Sequence, residues 1–283
     1  MKPLIKYRGG KTREIPHLIQ HIPKKYDTYL EPFVGGGALF FHLEPEKATI
    51  GDINKQLITF YKQLKSNFHT LVTQLEDLQN TYEQNQQEYE RLKQENPTNK
   101  VENKNEALYY HLRHIFNNPN DTYLEGTVYY FINKTAYSGM IRYNKKGEYN
   151  VPFGRYKNFN TKLITTDHHQ LLQRTEILCC DYSKIFALAT EKDFMFLDPP
   201  YDCVFNDYGN LSYTTGFDEN EHIRLAEHYK NLSCPALMVI GKTPLTESLY
   251  KGYIVDEYHK SYTVNIRNRF KNQAKHLIIK NYK

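Results

Sequence analysis

The chain has 283 residues, a formal net charge of +5 from 37 basic and 32 acidic side chains, and a mean hydropathy of −0.72. That length buries a sizeable core in one large domain or two modest ones, and no apolar stretch approaches the ~20 residues of a membrane-spanning helix. The mild basic excess permits a polyanionic partner without demanding one. Tyrosine is frequent at 25 residues and tryptophan is absent; such a surface suits nucleic acid, and an AT-rich coding bias accounts for it equally well. The four cysteines, Cys179, Cys180, Cys203 and Cys234, lack zinc-type spacing, and Cys179-Cys180 lies in an apolar run. They read as reduced, buried thiols of a cytoplasmic protein, with no metal. The opening Met1–Lys6 is no secretory signal.

Residues 1–25 carry Lys6-Tyr7-Arg8-Gly9-Gly10-Lys11, then an amphipathic helix expected through Ile15, Leu18, Ile19 and Ile22. Glycines between an aromatic and a lysine let backbone approach a ligand, with Tyr7 placed to stack and Lys11 to neutralise a carboxylate. Read alone, the segment favours an ordinary glycine turn with a solvated lysine. Next, Tyr29–Phe41 contains Glu31-Pro32-Phe33-Val34-Gly35-Gly36-Gly37, a strand, glycine turn and helix of the kind that opens a nucleotide-binding βαβ unit. It is not G-x-G-x-x-G and no P-loop lysine follows. A dinucleotide or triphosphate is therefore disfavoured against a small zwitterion such as S-adenosylmethionine. Ala48–Asn54 reads as a second strand ending in Asp52, 17 residues after Gly35 and near the ~20 at which a carboxylate grips ribose hydroxyls. Asp52 can alternatively cap a helix starting at Lys55.

Residues 55 to 118 are expected to be helical, with a Gln/Asn/Glu/Lys-rich stretch over 79–105 read as a solvent-exposed helix pair or a mobile insertion. His111 and His114 fall on one helical side without a third ligand nearby, and read as surface histidines. A helix through Val128, Phe131 and Ile132 leads into residues 133–157, where Asn144-Lys145-Lys146-Gly147 makes a hairpin turn. The hairpin interleaves Arg142, Lys145, Lys146, Arg155 and Lys157 with tyrosines. A basic ribbon of that kind fits the major groove, with arginine available for guanine.

Residues 160–192 return to α/β material, with a strand over 176–181 and a helix over 182–186. Asp193–Leu197 is a buried strand that ends in Asp198-Pro199-Pro200-Tyr201. Proline cannot donate to a ladder, so pairing stops there, and ligands of open α/β sheets sit at the carboxyl ends of strands. A planar base with an exocyclic amine suits this tetrapeptide: Asp198 and the Pro199 carbonyl accept from the amine and Tyr201 stacks. A polar, aromatic loop over 202–217 has the length of a lid. A helix through His222, Leu225, Ala226 and Tyr229, a strand over 235–240 and a final strand over 276–282 complete the chain.

These motifs, in this order, resemble the Dam-type (D12 class) DNA adenine-N6 methyltransferases. Glu-Pro-Phe-Val-Gly-Gly-Gly, Asp-Pro-Pro-Tyr and an intervening Arg-Tyr-Asn-x-x-Gly-x-x-Asn-Val-Pro-Phe-Gly are a highly specific combination, covering most of the chain apart from 79–105. The resemblance implies an α/β, Rossmann-like class I methyltransferase core with a mixed, mostly parallel sheet. Into it is inserted a mainly helical DNA-recognition domain carrying a β-hairpin. By that resemblance residues 1–60 and 160–283 would form the S-adenosylmethionine-binding domain and 61–159 the target-recognition domain. Asp198, Pro199, Pro200 and Tyr201 would be the catalytic set. Tyr7, Lys11, Asp52 and Asp198, with Glu31, Phe33, Gly35 and Gly37, would fall to the cofactor. Lys6, Tyr137, Met140, Arg142 and Pro152 would meet double-stranded DNA, together with Ser138, Asn144 and Arg155.

GATC is the expected recognition sequence. Segments 262–269 and 276–282 look more like restriction-associated relatives, which leaves open a cognate restriction endonuclease encoded nearby, and no obligate protein partner is evident. The chain is expected to be prokaryotic or phage-encoded. Cytosine-C5 methylation is disfavoured because it needs a Pro-Cys pair, and only Cys234-Pro235 occurs. An RNA or protein methyltransferase, or a non-catalytic DNA-binding protein, remains the contrasting reading.

Overall fold

The computed structural model describes residues 1–7, 9–201, 217–260 and 274–283. They form two compact units, one from residues 13–34, 45–53 and 175–283 and the other from residues 1–12, 35–44 and 54–174. Cys203, the 202–216 portion of the expected lid and segment 262–269 lie outside the described residues.

The first unit is built on a seven-stranded sheet: β1 (Tyr29–Glu31), β2 (Ala48–Asp52), β3 (Thr175–Cys179), β4 (Phe194–Leu197), β5 (Ala236–Gly241), β6 (Ile254–Lys260) and β7 (Ala274–Lys280). Its order is β3-β2-β1-β4-β5-β7-β6, with β1 to β5 parallel and β7 antiparallel to both neighbours. Strands β1, β2 and β4 are buried at every position, the pattern of strands covered on both faces. The core joins Leu30, Met195, Leu197, Met238 and Ile240 of the sheet to Tyr182 and Phe186 of α8 (Tyr182–Phe186) and Tyr229 of α9 (Glu219–Lys230). The mixed, mostly parallel sheet is the α/β core expected from the sequence.

Two local expectations are corrected, and two elements gave no signal. The first helix, α1, spans only Ile15–Leu18, followed by a 3-10 turn over Ile19–His21. Ile22 is already extended, at φ −79° and ψ 133°, because Pro23 disfavours the α conformation in the residue before it. The vicinal cysteines are not both buried: Cys179 is exposed and Cys180 half-buried, while Cys234 is buried, and all three are free thiols. Strand β3 lies at the sheet edge, where alternate residues emerge from cover. Strand β6 and α10 (Pro244–Leu249) lack an apolar run and escape a periodicity reading. Helix α10 instead starts from a Thr243–Thr246 capping box with proline in its first turn.

The second unit is helical: α2 (Ala38–Leu43), α3 (Lys55–Ser66), α4 (Phe68–Glu95), α5 (Lys104–Asn117), α6 (Glu125–Thr135) and α7 (Thr166–Gln173). Helix α4 runs 28 residues without a break. Its buried positions end at Tyr82; beyond, Arg91 pairs with Glu88 and Glu95 on a solvated surface. Pro97 falls just past its end. Helix α6 is buried from Gly126 to Asn133. Its N-cap, Leu124, has no side-chain acceptor, so neighbouring helices supply acceptors for its first turn. Gln74 of α4 accepts from the Leu124 amide at 3.0 Å and Gln63 of α3 from the Gly126 amide at 2.7 Å.

After α6 the chain turns back as the expected hairpin, with Gly147 at φ +78° and its amide bonded to the Asn144 carbonyl at 2.9 Å. It is not a continuous ladder. Only two isolated bridges, Ala136–Phe153 and Tyr143–Tyr149, are recorded among the described residues. Side chains of α5 replace missing ladder bonds: Tyr109 and Arg113 donate to the Val151 carbonyl, and Asn117 pairs with both backbone groups of Tyr149. His111 and His114 are exposed on α5. Among the described residues no helix is long and apolar enough to cross a membrane, and no group of three or more His, Cys, Asp or Glu could hold a metal.

Candidate active site

In the sheet unit, strand order reverses between β1 and β4, since β1 leads outward to β2 and β3 while β4 leads to β5. Open α/β sheets take their ligands outside the carboxyl ends of the strands at such a point. Three adjacent strands end there in an acid: Glu31 on β1, Asp52 on β2 and Asp198 directly after β4. Glu31 is buried and accepts from the Tyr29 hydroxyl at 2.8 Å. Burial, and then the Glu31 charge, push the Tyr29 phenol well up. Phe33 packs on Tyr182 at 5.1 Å and meets Phe217 edge-on at 6.2 Å. Asp52 is buried. The capping role once open to it belongs to Asn54, whose side chain accepts from the Leu57 amide at 3.1 Å.

Pairing of β4 ends at Leu197, opposite Met238, and Asp198-Pro199-Pro200-Tyr201 turns away as the prolines require. Asp198 is half-buried, and the Tyr201 hydroxyl donates to its Oδ1 at 3.3 Å. The carboxylate and the aromatic ring of the tetrapeptide are thus tied to each other. Beyond β3, Asp181 caps α8 and pairs with Arg224 at 2.7 Å. Burial alone would raise its carboxyl, yet hydrogen bonds from Ser183 and Arg224 leave it below its ordinary value.

The other predicted residues belong to the helical unit. Gly35 and Gly37 have φ of +45° and +64°. The Tyr7 ring lies against Gly35, where an added Cβ would sit 2.8 Å from Cε1. Tyr61 holds the turn from below by donating to the Gly35 carbonyl at 3.0 Å. Lys11 is not the solvated lysine of an ordinary turn. It is 2% exposed, and its ammonium donates to the Gly9 carbonyl at 2.8 Å.

Lys6 is held by Asn133, which accepts from its amide at 2.8 Å and donates to its carbonyl at 2.7 Å. The Lys6 ammonium donates to the Lys134 carbonyl and lies 4.0 Å from the Tyr156 ring centre. Tyr137, Ser138, Arg142, Pro152 and Arg155 are exposed, and Met140 and Asn144 half-exposed. Ser138 and Arg155 adopt φ of +53° and +54°, so this surface carries local backbone strain. Arg142 is braced by Asn150 at 2.8 Å. Asn144 accepts from the Lys146 and Glu148 amides, building the turn with its side chain.

Two buried residues gave no sequence signal. Glu14 and His276 are buried, and His276 stands edge-on to Tyr201 with ring centres 4.9 Å apart. Glu14 sat in a turn-and-helix segment and His276 at the start of an apolar strand, where neither pattern implies chemistry.

A family model for the D12 class N6 adenine-specific DNA methyltransferases matches residues 7–266. The chain belongs to that class. As a D12 enzyme it is an adenine-specific DNA methyltransferase, acting on DNA with a methyl donor. It is 35% identical over 289 residues to the Type II methyltransferase M.CviBI of Paramecium bursaria Chlorella virus NC1A, covering 100% of both chains. It is 32% identical to the Type II methyltransferase M.MjaIII of Methanocaldococcus jannaschii, over 100% of this chain and 99% of the other. A DNA adenine methylase of Vibrio cholerae serotype O1 is 26% identical over 98% of this chain and 95% of its own.

Proposed function

We propose that this D12 enzyme uses S-adenosylmethionine to methylate N6 of an adenine flipped out of double-stranded DNA, within GATC. The reading is carried by the Asp198–Tyr201 tetrapeptide at the carboxyl end of β4, beside β1 at the reversal of strand order. Buried Glu31 and Asp52 on the neighbouring strand ends fit a donor that has an ammonium group and ribose hydroxyls, both hydrogen-bond donors. Phe33 supplies an aromatic face for a purine. In the helical unit, Tyr7, Lys11 and the Gly35–Gly37 turn are assigned to the same ligand. When bound, S-adenosylmethionine supplies an electrophilic methyl on a sulfonium.

An exocyclic amine is a weak nucleophile because its lone pair is delocalised into the ring. Asp198 and the Pro199 carbonyl, both acceptors, draw its two protons and favour a tetrahedral nitrogen with its lone pair directed at the methyl. That is catalysis by positioning and electrostatics. Extruding the base costs a few kcal/mol, offset in part by stacking on Tyr201. Residues 61–159, most of the helical unit, are assigned to target recognition. Exposed Arg142 and Tyr137 on the hairpin side, with Lys6, Ser138, Met140, Asn144, Pro152 and Arg155, are assigned to the DNA. Full-length similarity to two enzymes named Type II methyltransferases favours a second role, as the protective half of a restriction-modification pair.

The test is to incubate the purified protein with S-adenosylmethionine and unmethylated genomic DNA and map modified bases by long-read sequencing. N6-methyladenine confined to GATC is the expected result. N6-methyladenine in another motif keeps the chemistry and discards the specificity. Absence of DNA methylation with donor binding intact would overturn the assignment.

A further inference from the structure

A buried polar cluster in the sheet unit has no role in the chemistry above. Glu14, Tyr258 and His276 come from the segment before α1, from β6 and from β7, and are 4%, 9% and 0% exposed. His276 Nδ1 lies 3.2 Å from Glu14 Oε2, 3.3 Å from the Tyr258 hydroxyl and 3.5 Å from the Tyr201 hydroxyl. Tyr258 donates to the same Glu14 oxygen, and His17 stacks on the Tyr258 ring at 5.0 Å. The imidazole is edge-on to Tyr201, at 85°. Gly241, ending β5, adds close backbone: a Cβ there would lie 3.5 Å from Tyr201 Cδ2.

The hydrogen-bond directions form one consistent chain. Tyr201 donates to Asp198, so its oxygen is left to accept; Tyr258 donates to Glu14, so that carboxylate can accept a second bond. A proton on His276 Nδ1 then serves both acceptors. Burying a carboxylate beside an imidazole is costly unless both are bonded, and an apolar pair would fill the space as well.

We propose that His276, oriented by Glu14 and Tyr258, is a positioning residue that sets the ring and hydroxyl of Tyr201 beside Asp198. This rests on the reading of Tyr201 as the residue that meets the target adenine. His276 touches neither base nor donor in this scheme; it acts through Tyr201. Its loss therefore slows the step after binding and leaves donor affinity alone.

The experiment is a double-mutant cycle with Tyr201→Phe, read as single-turnover methylation of a duplex carrying the mapped recognition sequence, with KM for donor measured alongside. His276→Leu is expected to slow methylation about tenfold, the scale of one lost hydrogen bond, with donor KM within about twofold. His276→Asn, which returns an amide nitrogen near Nδ1, should recover most of the rate. The His276→Leu, Tyr201→Phe double variant should be no slower than the slower single one. A wild-type rate in folded His276→Leu, or losses that multiply in the double variant, would overturn the proposal. If the leucine variant shows no cooperative unfolding transition, Glu14→Gln takes its place in the same cycle, with the same expected and overturning results. Tyr201→Ala separates the two layers: a full rate there retires the reading of Tyr201 itself. A slow Tyr201→Ala beside a fast His276→Leu retires only the role of His276.

Discussion

Gly35→Ala asks whether the glycine turn exists to admit the Tyr7 ring. Gly35 has φ +45°, and an alanine Cβ would lie 2.8 Å from Tyr7 Cε1 and 2.9 Å from Cδ1, well inside contact distance. Left-handed backbone costs alanine roughly 1–2 kcal/mol. Accommodating the methyl against the ring costs about 1–3 kcal/mol more, and a stiffer unfolded chain returns about 0.4–1 kcal/mol. The net loss of stability is about 1–5 kcal/mol if the ring stays. If the ring swings away, stability falls only by the backbone part and donor affinity takes the rest, at about tenfold per 1.4 kcal/mol. Gly252→Ala is the control: its φ is +91° and an added Cβ meets nothing within 4 Å, so it reports strain alone. Urea unfolding of both variants, with S-adenosylmethionine binding by calorimetry, gives the two quantities. Gly35→Ala as stable as Gly252→Ala, with donor affinity unchanged, would refute the role of the turn.

Asp198→Ala should lower the single-turnover rate roughly 10²–10³-fold, the scale of losing one preorganised polar group, with DNA affinity by gel shift within about twofold; a rate within threefold of wild type speaks against the assignment. Asn54→Ala removes the acceptor for the Leu57 amide at the start of α3 and should cost about 1 kcal/mol in urea unfolding, whereas an unchanged midpoint means another group caps the helix. Burial, and then the charge of Lys6, lower Lys134 to about 8. The unfolded chain therefore binds the extra proton between that value and about 10.4, and wild-type stability climbs across this window as the penalty of a buried charge is lost. Relative to Lys134→Met, the wild type should gain stability from pH 8 to pH 10, and a difference that stays flat contradicts the shift.

Much of the fold was legible because its signals are local. The apolar run before Asp198, ended by two prolines, appears as β4 with its last paired residue at Leu197. The turn at Asn144–Gly147 needed only the chemistry of its own asparagine and glycine, and it forms with Gly147 at positive φ and Asn144 accepting from two backbone amides. Local signals failed where a neighbour decided the outcome. The edge position of β3 exposed Cys179, whereas the first helix stops at a signal that was local and outweighed by the apolar spacing, the proline after Ile22. The hairpin closes on side chains of α5 in place of a full ladder.

Periodicity, turn residues and strand-end acids are properties of a few consecutive residues. They were enough to identify the strands that end in Glu31 and Asp52 and the tetrapeptide Asp198–Tyr201 that follows β4. The order of the sheet is not a local property, and it alone brings β7 beside β5, and so His276 level with Gly241. Glu14 and His276 are 262 positions apart and meet at 3.2 Å, while Lys11, a residue type that sequence places in water, is 2% exposed. Burial depends on what packs above a residue, and hydrogen bonds between distant segments depend on how strands are ordered. Neither is written in spacing, so the acids at the strand ends could be read from the chain, and the cluster behind Tyr201 only from the packed sheet.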